Sequence, residues 1–156
     1  MKKCVFCDLN ELASAATIEK CEKFTLRLDP NPVSFGHILV IPDRHVEKFE
    51  DLDEDEILNL GEAITKSKKL AEEKEKIKEK YSDISDVKDL NSNQMIDSII
   101  GEKKDPEGFN IGINEGEAAG KTIDHLHIHV IPRYEGDVEN PEGGVRNVVP
   151  DKADYT

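Results

Sequence analysis

From His125 to Ile131 the chain reads His-Leu-His-Ile-His-Val-Ile, an unbroken alternation that fits an extended strand and no helix. A strand turns successive side chains to opposite faces, so His125, His127 and His129 share one face and Leu126, Ile128 and Val130 the other. Three adjacent imidazoles are a poor way to build a core face. Imidazole titrates near neutrality, so one ring can act as a nucleophile while its neighbour donates to phosphate oxygens. A nucleophilic ring must expose an unprotonated nitrogen and anchor its other, hydrogen-bearing nitrogen on an acceptor, for which the strand's own carbonyls are within reach. The plain alternative is a strand of hydrogen-bonded histidines without activity.

The remaining pattern supplies a sheet and one main helix. Phe24, Leu26 and Leu28 alternate with Thr25 and Arg27, the period of a half-buried strand, until Asp29-Pro30-Asn31-Pro32 breaks it. His37 to Ile41, bounded by Gly36 and Pro42, suits a strand buried on both faces and a hairpin with a long Pro-rich connection. Asp53 followed by Glu56 resembles a capping box, and Ile57, Leu60, Ile64, Ser67 and Ala71 then recur at helical spacing, which predicts a helix from about Asp53. Lys68 to Lys80 is almost wholly charged and reads as a solvated helix face. From Ser82 to Pro106 the pattern turns polar around one amphipathic island, Met95 to Ile100, read as a helical turn, a stretch open to being a mobile insertion, a lid or a subunit contact; residues 68–106 are expected to be an insertion. Phe109, Ile111 and Ile113 alternate again, and Asn114 shares its face with Gly112, which leaves room for a ligand. Thr122 to Ile131 reads as the last strand, closed by Pro132.

Composition narrows the functional classes. The net charge of −13 opposes a nucleic-acid partner, although a local site can still hold a small phosphorylated substrate with a few fixed donors. No apolar run approaches the roughly 20 residues of a membrane span, and the start, Met1 to Asp8, meets an acid before a signal-peptide stretch develops; a cytoplasmic protein is expected. Three cysteines, two of them at Cys4-x-x-Cys7, argue against a disulfide framework, and the pair has a spacing that suits tetrahedral zinc. Cys21 is read as an ordinary strand residue. Arg133 and Arg146 read as solvated or acid-paired, and His37, behind Gly36, as a core histidine outside the catalytic set.

His125 to Ile131 resembles the signature of the histidine triad family. The likeness extends to Asp29-Pro30-Asn31-Pro32-Val33-Ser34-Phe35-Gly36-His37, Ile41-Pro42, His45, Asn114, Gly116, Ala119-Gly120 and Pro132-Arg133. The tail after Arg133 is similar to prokaryotic members labelled dinucleoside polyphosphate hydrolases. The resemblance implies that His127 is the nucleophile, His129 a donor to the phosphate under attack, and His125 the residue whose carbonyl orients His127. It implies that Asn114 holds the phosphate, Thr122 meets the departing group, Asp29 receives the ribose diol, and Phe6 and Leu9 border the base. Lys121 stands where many members carry Gln, and its cation would meet an extra phosphate of a longer leaving group, unless it is simply solvated. In some relatives a Cys pair is completed by two histidines, here His45 and His125, giving a structural zinc site with Cys4 and Cys7.

The expectation is therefore an α+β domain with an antiparallel sheet of about five strands and one main helix, forming a homodimer as family members do. It would be a hydrolase of nucleoside phosphoanhydrides such as diadenosine tetraphosphate, working through a nucleotidyl-histidine. Hydrolysis of a nucleoside phosphoramidate, phosphorolysis, and a non-catalytic nucleotide-binding adaptor are the alternatives.

Overall fold

The computed structural model describes residues 3–88, 104–150 and 152. Five strands form one antiparallel sheet: β1 (Thr17–Lys20), β2 (Phe24–Leu28), β3 (Ile38–Pro42), β4 (Gly108–Gly112) and β5 (Ile128–Arg133). Their order across the sheet is β1-β2-β3-β5-β4. The β2–β3 hairpin is in register from Phe24 opposite Pro42 to Leu28 opposite Ile38. Gly36 turns its long connection at φ +83°, and a Cβ there would press to 3.2 Å from Ile77.

One sheet face carries the core. Phe24, Leu26, Leu28, Ile38, Val40, Leu126, Ile128 and Val130 pack with residues of two helices, α2 (Glu54–Leu70) and α3 (Lys74–Lys88). Helix α2 starts where the sequence predicts: the Asp53 carboxylate accepts from the Glu56 N–H at 2.8 Å, and Glu56 accepts from the Asp53 N–H at 2.8 Å. The short helix α1 (Glu11–Ala16) is capped by Asn10, whose side chain accepts from the Ala13 N–H at 2.8 Å.

The solvated reading of Lys68 to Lys80 needs correcting. Leu70 and Ala71 are buried, and α3 sets Ile77, Tyr81 and Ile84 fully into the core, with Ser85 beside them. Spacings of four and three keep these residues on one stripe, while the intervening lysines and glutamates stay outside. Residues 74–88 thus complete the helical layer, and the helix continues past Ser82, where the sequence pattern seemed to dissolve. The island Met95 to Ile100 lies outside the described residues. Strand β2 also departs from expectation: Thr25 and Arg27 are buried like their apolar neighbours, Thr25 against Asp43 and Arg27 beneath the Phe6 backbone in the floor of a cleft. The strand expected from Thr122 begins only at Ile128, because the chain bends at Ile123 to His125 before it joins the ladder. Cys21 sits in the turn between β1 and β2.

Candidate active site and metal cluster

Opposite the core, strand register lines up a row of side chains. Arg27 pairs with Leu39, Leu39 with His129, and His129 with Gly112. Directly paired residues point to the same face, so the row crosses four strands on the side that His127 and His129 occupy. Among the described residues, Gly112 has nothing within 4 Å of where a Cβ would stand.

The cleft above this row has a volume of about 430 Å³. Its lining includes Phe6, Arg27, Asp29, Asn114, Thr122, His127 and His129. Gly120, at φ +86°, lets the loop turn past Thr122 into the lining. Phe6 stands edge-on to His125 and His127, its ring centre 5.8 and 5.1 Å from theirs. Asp29 accepts from the Asn31 N–H at 2.8 Å with one oxygen, an ordinary turn contact, and its second oxygen lies 3.6 Å from His37 Nδ1.

Two expected site residues lie elsewhere. Leu9 is 81% exposed and borders a separate surface hollow beyond α1; Val5 and Leu12 supply apolar wall to the cleft in its place. Lys121 donates its amine to the Glu47 carbonyl at 2.7 Å, its side chain largely buried, and does not line the cleft. Arg133 donates to Asp137 at 2.6 and 2.8 Å, in keeping with its acid-paired reading.

Backbone carbonyls accept and never donate, which fixes two tautomers. His127 Nδ1 lies 2.8 Å from the His125 carbonyl and must donate to it, so Nε2 keeps its lone pair. His125 Nε2 likewise donates to the Pro42 carbonyl at 2.9 Å, leaving Nδ1 as the free nitrogen. That nitrogen lies 3.5 Å from both Cys4 Sγ and Cys7 Sγ, and His45 Nδ1 lies 3.2 Å from Cys7 Sγ. A tetrahedral ion with metal–sulfur bonds near 2.3 Å and metal–nitrogen bonds near 2.0 Å would separate N and S ligands by about 3.5 Å. Cys4, Cys7, His45 and His125 therefore form a four-ligand cluster of the right chemistry and spacing for a metal ion.

The sequence reading missed His37. The Val33 N–H donates to His37 Nδ1 at 3.3 Å, so His37 Nε2 bears the hydrogen and donates to His129 Nδ1 at 2.9 Å. His129 is thereby left with its Nε2–H as a donor, and His37 acts as a positioning residue for it. Burial, with a smaller contribution from His129, pulls His37 down to about 4 against the opposite pull of Asp29. Burial also lowers His129, with His127 adding to that effect and Asp29 opposing it.

These shifts have one sign for stability. Above the ordinary value of 6.5, His37 is neutral folded or unfolded and contributes no pH dependence. As pH falls from there toward 4, the unfolded chain takes a proton that the native state refuses, so stability drops by a total approaching ~3 kcal/mol. Urea unfolding of the wild type and of His37→Gln, compared at pH 7 and pH 4.5, should show the smaller acid loss in the variant. Equal losses would refute a neutral buried His37. His37→Phe, which cannot donate to His129, should in addition lose about ten- to a hundredfold in kcat, the usual scale for removing an imidazole's outer partner.

A five-stranded antiparallel sheet with alternating histidines beside one cleft is the arrangement the histidine triad resemblance implies, and comparison with known proteins agrees. Residues 11–136 match the HIT domain, and the chain belongs to this family of nucleotide hydrolases and transferases. It is 31% identical over 147 residues to an uncharacterised HIT-like protein of Methanocaldococcus jannaschii, covering 93% of this chain and 91% of that one. It is 32% identical over 109 residues to a bis(5′-adenosyl)-triphosphatase of Dictyostelium discoideum, covering 70% of this chain and 54% of the relative. Among solved structures, a zinc-bound histidine triad protein of Mycobacterium smegmatis superposes with a TM-score of 0.58 at 27% identity, covering 88% of this chain and 79% of that one. No described helix is long and apolar enough to cross a membrane.

Proposed function

We propose that the chain hydrolyses a nucleoside phosphoanhydride, of the dinucleoside polyphosphate kind, through a nucleotidyl group carried on His127. The observation that bears most weight is the His127 Nδ1–His125 carbonyl bond of 2.8 Å, which leaves a lone pair on Nε2 of a ring that lines the cleft. That lone pair forms a bond to the phosphorus next to the nucleoside, and the bridging oxygen departs with its electron pair and the remaining phosphates. Water then attacks the phosphorus and the nitrogen–phosphorus bond breaks, returning His127 and releasing the nucleoside monophosphate. His129 Nε2–H and Asn114 are assigned to the nonbridging oxygens, Thr122 to the leaving oxygen, and Asp29 to the ribose hydroxyls. The triphosphatase name of the Dictyostelium relative supports an anhydride substrate. A phosphoramidate or a phosphorolytic reaction would pass through the same intermediate.

The chemistry of the Cys4, Cys7, His45 and His125 cluster suits zinc, and the zinc-bound neighbour supports that choice. Four protein ligands leave no open position, so the ion would tie the amino-terminal segment to the catalytic strand and take no part in the reaction. For the homodimer, the support is the edge of β4, unpaired among the described residues, where Ile111 is 39% exposed, together with Leu58 of α2 at 78%. A monomer mass in analytical ultracentrifugation at micromolar concentration would exclude this pairing.

The direct test is an acid-free quench of enzyme mixed with diadenosine tetraphosphate, followed by intact-mass and peptide analysis. The expected result is an added adenylyl group on the peptide that carries His127. Turnover without any adduct, or an adduct elsewhere, would overturn the assignment.

A further inference from the structure

Arg27 is an unexpected residue to find in the floor of a nucleotide cleft. It is 6% exposed, and it sits in the register row at two strand spacings, ~10 Å, from His129. Asp29 follows it by two residues, just past the end of the same strand, where its N–H donates to the His37 carbonyl at 2.9 Å, and it too lines the cleft. Among the described residues the guanidinium has one hydrogen bond, Nη2 to the Phe6 carbonyl at a long 3.3 Å. Its Nε is fully shielded and has no partner at all. The charges near it are the Asp43 carboxylate and the Cys4 and Cys7 thiols, none of them in an ion pair with it. Asp43 instead accepts from the Thr25 hydroxyl at 2.6 Å.

A buried guanidinium normally spends its five donors on protein acceptors, because a buried donor left unpaired is costly. Here the fold leaves that demand unmet at the apolar end of the cleft, beside Phe6, Leu39 and Ala16, which is where a flat base would lie. With the phosphate at His129 and the ribose at Asp29, a bound nucleotide brings its base to this end. The acceptors Arg27 lacks must then come from the base edge.

We infer that Arg27 selects the base, and that among purine nucleotides the preferred ones carry a 6-oxopurine, guanine or hypoxanthine. This rests on the nucleotide reading above and deepens it. A guanidinium fork meets paired acceptors best, and among the purines the 6-oxo bases present them as O6 with N7. Adenine offers N7 beside an amino group, whose hydrogens would face the cation. Uracil sets each of its carbonyls beside N3–H or a carbon, so it too lacks a paired-acceptor edge. A purely stacking role for Arg27 would be indifferent to these edges, since every base has a π face.

The experiment is isothermal titration of the metal-loaded full chain with GMP, IMP, AMP and UMP, repeated on Arg27→Met. Binding of GMP and IMP at least about tenfold tighter than AMP and UMP is expected in the wild type, with the ratio collapsing toward one in Arg27→Met. Equal affinities for GMP and AMP, or a preference that survives the substitution, would overturn the inference while leaving the nucleotide reading in place. Failure of all four to bind would remove the nucleotide reading and the inference together. Should Arg27→Met not fold, the wild-type comparison of IMP with AMP, which differ only at the purine 6-position, decides the matter alone.

Discussion

His127→Ala is expected to abolish turnover of diadenosine tetraphosphate by at least about 10⁴-fold while changing AMP affinity only a few-fold. The asymmetry follows from the geometry. Nε2 of His127 is the only lone pair in the triad that is both fixed by a backbone carbonyl on its far side and carried by a ring lining the cleft. Nδ1 of His125 also keeps a lone pair, but it faces the two thiols, and Nδ1 of His129 is occupied by His37. No neighbouring group can therefore take over the attack. Affinity, in contrast, is assigned to Asp29, Arg27, Asn114 and His129, which the substitution leaves in place. Single-turnover release of AMP, read beside calorimetric binding, separates the two quantities. Residual turnover within tenfold of wild type would end the nucleophile assignment. Full binding with no turnover in the wild type itself would favour the adaptor reading.

What the sequence discloses depends on how many physical demands agree at a position. The triad face, the β2–β3 hairpin and the start of α2 are legible because alternation, breakers and a reciprocal cap all point one way. Helix α3 is not, since Ile77, Tyr81 and Ile84 are few among charged neighbours, and a charged stretch looks solvated until a sheet edge is there to receive its stripe. His37 was hidden for the opposite reason: a buried histidine behind a glycine has an ordinary explanation. Its signal was the alternation itself, because His37, Leu39 and Ile41 fall on one face of β3 and the pairing of Leu39 with His129 makes that the catalytic face. Leu9 and Lys121 were placed by likeness to relatives alone, and local contacts decide otherwise: the cap at Asn10 starts α1 and leaves Leu9 outside, and the Glu47 carbonyl captures the lysine. Arg27 read as the polar side of a half-buried strand. Only the cleft above it shows that this side is enclosed as well.

The second large effect is expected from the metal cluster. Stripping the protein with a chelator should lower the unfolding midpoint by about 10 °C. An ion present at a thousand times its dissociation constant stabilises the folded state by about 4 kcal/mol, and each kcal/mol moves a domain of this size by roughly 2–4 °C. The loss should be smaller than in a zinc finger, which has no other core, because here the sheet and helices bury a core of their own. Activity should fall with it through a specific route. The His125 ring is held between the cluster and the Pro42 carbonyl, and the carbonyl of the same residue holds His127 Nδ1. Loosening His125 therefore frees the nucleophile to rotate or change tautomer, which lowers kcat more than it raises KM. Cys4→Ser and Cys7→Ser should reproduce both changes, whereas Cys21→Ser, in the β1–β2 turn and outside the cluster, should reproduce neither. Thermal melts and elemental analysis of the same preparations provide the check. If chelated and untreated protein melt together and neither contains stoichiometric metal, the four residues are bare thiols and imidazoles, and the rigidity of His125 must come from the Pro42 carbonyl and the Phe6 ring alone.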